Sequence, residues 1–557
     1  MIEVSGIRVP LNRLDGDERH ELATVREATL HKLHLTPGDV TAFELRKRSV
    51  DARKKSDILL TYTARLQLAG RTNAERQLLQ RLKRRRADRG VCVVDEVVYR
   101  LPVAAHVPSD LCPIVVGAGC AGLFCALALA EAGLAPLLVE RGDDATRRTA
   151  AVAHLNQTGE LDPESNIQFG LGGAGTFSDG KLNTGTKSPA HRFILEALAS
   201  AGAAQHILWD AKPHVGSDVL PRVVERLVKR IEAAGGEVRC RTRMTGLDVT
   251  GGKVRSVTLE SRDPQTGVLR EERIATNQVV LATGHSARDV FELLRDANVT
   301  LERKTFAMGV RIEHLQADID RAQYGPSAGH PALGAAPYKP AQRLEDGRGA
   351  FSFCMCPGGF VVAAASEPGG VVTNGMSLSD RAGTNANSGL LANVFPTDLP
   401  GDDVLAGIKL QRSCEQAAFE AGDGSFVAPA QLVGDFMQGV PSMGAGRIQP
   451  TYPRGVRWGA VDSCLPAYVT DALRTAIPRM ERQLRGFSAA DAVLTGVESR
   501  SSSPVRVTRD ESGQALGIAG LFPCGEGAGY AGGIMSAATD GLRTAGWLIE
   551  SLSSLHA

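Results

Sequence analysis

The residues best suited to chemistry begin at Gly117-Ala118-Gly119-Cys120-Ala121-Gly122, directly after the apolar run Ile114-Val115-Val116. A second apolar run, Leu137-Leu138-Val139, delivers Glu140, 18 residues beyond Gly122. This spacing predicts a strand–turn–helix–strand unit that binds a dinucleotide. Gly117 permits the tight turn, Gly119 lets backbone approach a pyrophosphate, and Gly122 admits close packing of helix on strand. The helix start at Ala121 presents unpaired N–H groups and partial positive charge to the phosphates. Glu140 is placed to accept hydrogen bonds from both hydroxyls of an adenosine ribose. By itself the motif does not separate NAD from FAD.

Three further segments point to a flavin. Ala282-Thr283-Gly284 at a strand end, Leu521-Phe522-Pro523-Cys524-Gly525-Glu526-Gly527, and the helix following Gly532-Gly533-Ile534-Met535-Ser536 resemble the FAD-binding signatures of the glutathione-reductase-like, two-dinucleotide-fold flavoprotein superfamily. Glu526 stands where that pattern usually has Asp, one methylene shorter. More narrowly, the loop 172–182, Lys212-Pro213-His214-Val215-Gly216, Cys354-Met355-Cys356-Pro357-Gly358-Gly359 and Ser501-Ser502-Ser503-Pro504-Val505-Arg506 are similar to a family of uncharacterised FAD-utilising dehydrogenases. The resemblance runs along the whole chain and implies non-covalent FAD. It places Arg141, Gly173, Ala174, Gly175, Thr176, Thr283, Gly284, Gly525, Glu526, Gly533 and Ile534 at the cofactor. A helix N-terminus beside the flavin pyrimidine edge has a physical rationale, because reduced flavin carries negative charge there. The resemblance implies no particular substrate.

No second strand–GxGxxG–helix unit is present, so a dedicated nicotinamide domain is not expected. Electrons then come from a small organic substrate or from transiently bound NAD(P)H. Hydride transfer also requires a nearby group to take the accompanying proton. His214, His285 and Lys181 lie beside Gly-rich loops and are the candidates, with structural hydrogen bonding as the competing role for each. Arg500 and Arg506 offer bidentate anchors for a carboxylate or phosphate, with ion pairs within the chain as the alternative. Cys356, Gly358 and Gly359 are expected to line the substrate wall. Cys354 and Cys356 form a CxC, a spacing that closes only a strained bridge, so both are read as core or pocket thiols. No metal site is expected.

These residues need elements to hold them. The expected fold class is α/β: a Rossmann-like FAD-binding domain (103–301 and 496–557), an inserted α+β substrate domain (302–495), and an N-terminal ferredoxin-like α+β domain (1–102). The N-terminal pattern is strand 2–10, helix 18–33, strands 40–49 and 58–68, helix 73–86, strand 91–98. A linker is expected over 102–113. Residues 1–100 carry 21 Lys/Arg against 14 Asp/Glu, a net +7, and the remaining residues carry −6. That asymmetry raises an alternative function, flavin-dependent modification of RNA or tRNA held on the N-terminal domain. The candidate strands lack RNP-type aromatic sequences, which argues against nucleic acid. Ten dispersed cysteines, 43% hydrophobic residues and no signal-peptide pattern are read as a cytoplasmic protein without a membrane segment.

Overall fold

The computed structural model describes every residue except 71, 72, 96, 104–111, 264 and 555–557. The expected linker at 102–113 falls mostly outside the described residues.

The strands Ile2–Pro10, Val40–Asp51, Leu59–Leu68 and Val91–Val93 form one sheet in the order 40–51, 59–68, 2–10, 91–93. Strand 2–10 is antiparallel to both neighbours, the split βαβ topology. Period-2 burial explains the third strand: Leu60, Tyr62, Ala64 and Leu66 are fully buried on one face. Helix Glu18–Leu33 starts at Asp17, whose carboxylate accepts the His20 N–H at 2.8 Å.

Several cations of this region are used within the chain. Arg48 pairs with Glu21 at 2.6 Å and donates to the Ala332 carbonyl, Arg53 pairs with Asp51, and Lys55 donates to the Ala322 carbonyl. Backbone bonds from Arg48 N–H to Trp209 and from Ala211 N–H to Arg48 tie this sheet to the following chain. Its buried side chains also belong to one apolar cluster with strand Phe306–Leu315.

The second layer is a parallel sheet in the order 521–523, 279–281, 114–116, 137–139, 237–239. Its central strand, Ile114–Val116, is buried on both faces, as parallel strands covered by helices require. From this strand the chain runs first to one side and later to the other. A crevice opens at such a reversal, outside the carboxyl ends of the strands. Helix Cys120–Glu131 is apolar all round and buried from Ala121 to Ala130, because helix Ile534–Ser554 packs along it. The sheet and its covering helices form the mixed α/β fold expected of a Rossmann-like FAD-binding unit.

A third sheet has seven strands in the order 341–343, 349–356, 385–394, 306–315, 493–498, 428–432, 456–458. Strand Phe306–Leu315 lies inside it and is buried from Phe306 to His314. Helix Ala467–Glu481 covers one part of the sheet, and the hairpin of Gly359–Ala363 and Thr373–Ser377 packs on another. Among the described residues no helix is long and apolar enough to cross a membrane.

Candidate functional site

One cleft of about 510 Å³ lies at the crevice of the parallel sheet and extends to the edge of the seven-stranded sheet. Its near end is built by the glycine turn. Gly117 has φ +101°, and a Cβ there would overlap the Ala282 carbonyl. A Cβ at Gly122 would overlap the Gly117 carbonyl, so this glycine lies beneath the turn and does not line the cleft. Gly119 does line it, facing Gly173 (φ +64°), where a Cβ would come within 2.9 Å of the Gly119 Cα. These backbones leave an open cradle where side chains would intrude. Two helix N-termini, at Cys120 and Ala121 and at Gly533 and Ile534, border the same space. The cradle and paired helix ends fit a pyrophosphate and an electron-rich ring.

Glu140 is buried at the end of its strand and faces the cleft. Its Oε2 accepts the Ala118 N–H at 2.9 Å, and its Oε1 accepts those of Gly142 (3.0 Å) and Gly170 (2.9 Å). A carboxylate has about four lone-pair positions, so this arrangement leaves about one for an incoming hydroxyl. The two-hydroxyl expectation is corrected accordingly: Glu140 also ties together three loops. Arg141 lines the cleft but is held by Glu164 at 2.7 Å and Asp289 at 2.9 Å.

The turn Ala174–Phe177 brings Ala174 and Gly175 to the cleft, with Gly175 close against Cys120 and Ile534. Thr176 is instead buried, its hydroxyl donating to the Leu171 carbonyl at 3.4 Å. Thr283, Gly284 and Glu526 also line the cleft. Gly525 does not: it sits against Ala121, and its N–H donates to Asp540.

The three proton-acceptor candidates fare differently. His214 does not line the cleft, because its Nε2 is bound to the Ser379 carbonyl at 3.0 Å. Burial holds its pKa down to about 4. Lys181 lines the cleft 3.1 Å from Asp179, and neighbouring thiols and this carboxylate raise its pKa against the effect of burial. It is a cation, not a base. His285 lines the cleft, but burial, with Arg500 and Arg288 nearby, depresses it to about 3. The neutral imidazole is therefore a weak base. Burial raises Glu526, 3.9 Å from His285, to about 7, and Lys304 opposes that rise. A carboxylate titrating there is better matched to proton transfer at neutral pH. The sequence pattern placed Glu526 at the cofactor, and the half-buried setting beside His285 and Lys304 exists only in the folded cleft.

Glu526→Gln should therefore remove a pH-dependent change in the absorbance of cleft-bound flavin centred near neutrality. Spectra recorded across that range test this, and an unchanged titration in the variant would assign the midpoint to another group.

The expected substrate wall also shifts. Gly358 does not line the cleft: with φ +49°, it packs where a Cβ would overlap the Arg381 carbonyl. Gly359 packs in the same way on Met376. Cys356 is fully buried behind Cys354, which does line the cleft together with Phe353, Met355 and Pro357. Arg500 reaches the cleft but is held by Glu415 at 2.7 Å and by Ser366, so it is not free to anchor a substrate. Arg506 lies outside the cleft on the strand Val505–Val507, stacked over Tyr530. Among the described residues, the rim lysines Lys212 and Lys339 are the lining cations without a recorded ion pair or hydrogen bond.

The comparisons with known proteins agree with this geometry. The family described as "FAD binding domain" matches residues 113–182, which contain the glycine turn and Glu140. The family described as "FAD-dependent protein, C-terminal domain-like" matches 305–501, and a domain of unknown function matches 1–67. An uncharacterised protein of Clostridium beijerinckii is 40% identical over 543 residues, covering 97% of this chain and 98% of that protein. The chain belongs to this FAD-binding flavoprotein family. Among solved structures, the glycerol-3-phosphate dehydrogenase of Bacillus halodurans complexed with FAD is similar at 14% identity and a TM-score of 0.36. The match covers 80% of this chain and 65% of that one, just under two thirds of its length. A geranylgeranyl bacteriochlorophyll reductase-like protein of Thermoplasma acidophilum is similar at 13% identity and a TM-score of 0.35, over 81% and 80%.

Proposed function

We propose that this flavoprotein is an FAD-dependent oxidoreductase acting on a small organic molecule. The observation that carries this reading is the continuity of the cleft. The dinucleotide cradle at Gly117 and Glu140 opens, within one cavity, onto a wall from the seven-stranded sheet that includes Cys354 and Glu498. Bound FAD supplies a hydride acceptor and donor at flavin N5. The protein's part is to hold the adenosine end at Glu140, face the two helix N-termini toward the phosphates and the ring, and keep a proton acceptor, Glu526, at the cleft. His285 supports that acceptor as a neutral neighbour.

A mostly apolar cavity with a few polar groups suits a small metabolite better than a folded nucleic acid. Several N-terminal cations that would serve a nucleic acid are engaged with Glu21, Asp51 and backbone carbonyls. The unpaired rim lysines, Lys212 and Lys339, favour an acidic substrate. Reducing equivalents come from that substrate or from transiently bound NAD(P)H.

The test is anaerobic bleaching of the FAD-loaded protein against hydroxy acids, amino acids, other carboxylates and NAD(P)H. Loss of the oxidised flavin spectrum with one class is the expected result. A loaded protein that none of them reduces would contradict turnover and leave a flavin-binding protein.

A further inference from the structure

The end of the cleft away from the glycine turn carries more positive charge than its carboxylates balance. Lys181, Lys212, Lys339 and Arg381 all line it. Asp179, itself buried, takes the Arg381 guanidinium through contacts of 3.0 and 2.5 Å and Lys181 at 3.1 Å. Glu498, also on this wall, is matched by Arg311 at 2.8 Å. Among the described residues, Lys212 and Lys339 have neither an ion-pair nor a hydrogen-bond partner. Four lining cations thus face Asp179 alone, which leaves an excess of three positive charges.

The backbone brings these groups together. Lys181 bridges to His214 in antiparallel register, and the Leu182 N–H donates to the Pro213 carbonyl at 2.9 Å, which brings Lys212 alongside Asn183. His214 binds the Ser379 carbonyl at 3.0 Å, two residues before Arg381. On the other side, the Ser352 N–H donates to the Pro340 carbonyl at 2.9 Å and so holds Ser352 beside Lys339. Desolvation and the nearby charges of Arg381 and Lys339 lower the Lys212 pKa, as expected of cations facing one space. Ser352 lines the cleft, is 3% exposed, and its hydroxyl has no hydrogen-bond partner among the described residues. A buried hydroxyl left unpaired is costly, and an acceptor bound in the cleft relieves that cost.

We propose that this end of the cleft is a dianion subsite of the oxidoreductase read above: the substrate carries, away from its reacting carbon, a doubly charged group held by Lys212 and Lys339, with the Ser352 hydroxyl as a further donor. That group is a phosphate monoester or a pair of carboxylates. A single carboxylate cancels one of the three excess charges, whereas a dianion cancels two and has acceptor oxygens for both lysines and the hydroxyl at once. Ammonium groups act as point charges without the planar preference of a guanidinium, so both kinds of dianion suit them.

The test is isothermal titration of the FAD-loaded full-length protein with inorganic phosphate, succinate and acetate, at one ionic strength and about pH 8. Phosphate or succinate should bind at least about tenfold more tightly than acetate, and the tighter of the two identifies the dianion that the subsite takes. Lys212→Met/Lys339→Met should weaken that dianion by at least about tenfold with the FAD content of the wild type, and Lys212→Arg/Lys339→Arg should retain most of the binding. Ser352→Ala should weaken it by roughly threefold or more. Equal binding of acetate and both dianions, or dianion binding unchanged in the double methionine variant, overturns the subsite. Unchanged binding in Ser352→Ala removes the hydroxyl from it. Calorimetry does not depend on turnover: a protein that binds the dianion while no substrate reduces its flavin contradicts the oxidoreductase reading, and one that is reduced without preferring dianions contradicts the subsite alone.

Discussion

Glu415→Ala should destabilise the protein by about 3–5 kcal/mol, the usual cost of removing one partner from a buried ion pair. Glu415 sits on helix Ala406–Ala421 with its side chain 1% exposed, and accepts from Arg288 at 2.7 Å, Arg500 at 2.7 Å and Ser499 at 2.6 Å. Arg288 would keep Glu367 as a partner, but Arg500 would be left with the Ser366 hydroxyl. Burial opposes ionisation of Glu415, yet Arg500 and Arg288 lower its pKa from 4.5 to about 2. Since the folded value is the lower one, its contribution is fully present above about pH 4.5 and is lost as pH falls toward 2. A thermal melt at neutral pH should show a clear drop in midpoint for the alanine variant and a smaller drop for Glu415→Gln, which keeps an acceptor. An unchanged midpoint in Glu415→Ala would show that the arginines find other partners.

Glu140→Ala should weaken FAD binding by about ten- to a hundredfold. A charge-assisted hydrogen bond to a ribose hydroxyl contributes about 1.5–3 kcal/mol, equivalent to one to two orders of magnitude in affinity. The variant also leaves the N–H groups of Ala118, Gly142 and Gly170 without their acceptor, loosening the cradle that approaches the phosphates. Titration of the apo-protein with FAD, read by flavin fluorescence, measures the loss. Equal affinity in the variant would remove Glu140 from the cofactor site.

The parts of this site legible in the sequence are those governed by backbone geometry. Gly117, Gly119 and Gly122 are separately explained by a turn, an open cradle and a close approach, and each constraint leaves glycine at a fixed spacing. The N-terminal strands were equally legible, because alternation at Leu60, Tyr62, Ala64 and Leu66 marks a sheet with one buried face. The seven-stranded sheet was harder to read, since Phe306–Leu315 is covered on both faces and its buried Arg311 and Glu313 break the apolar run. Side-chain roles were least legible. Gly358 and Gly359 carry the same glycine signal as Gly119, yet they pack against Arg381 and Met376 from distant chain. His214 and Arg500 have suitable chemistry, but Ser379 and Glu415, far away in sequence, occupy them. Proton affinity depends on the assembled cleft, so the motif around Glu526 placed that residue at the cofactor without revealing the surroundings that raise its pKa.

The central claim is that this cleft binds FAD. Its most direct test is to denature the purified protein, or the apo-protein after incubation with a mixture of FAD, FMN and NAD, and identify the released nucleotide by mass and absorbance. Stoichiometric FAD in the wild type, strongly reduced in Glu140→Ala, is the predicted result. Release of NAD, or of no nucleotide after incubation, would contradict it.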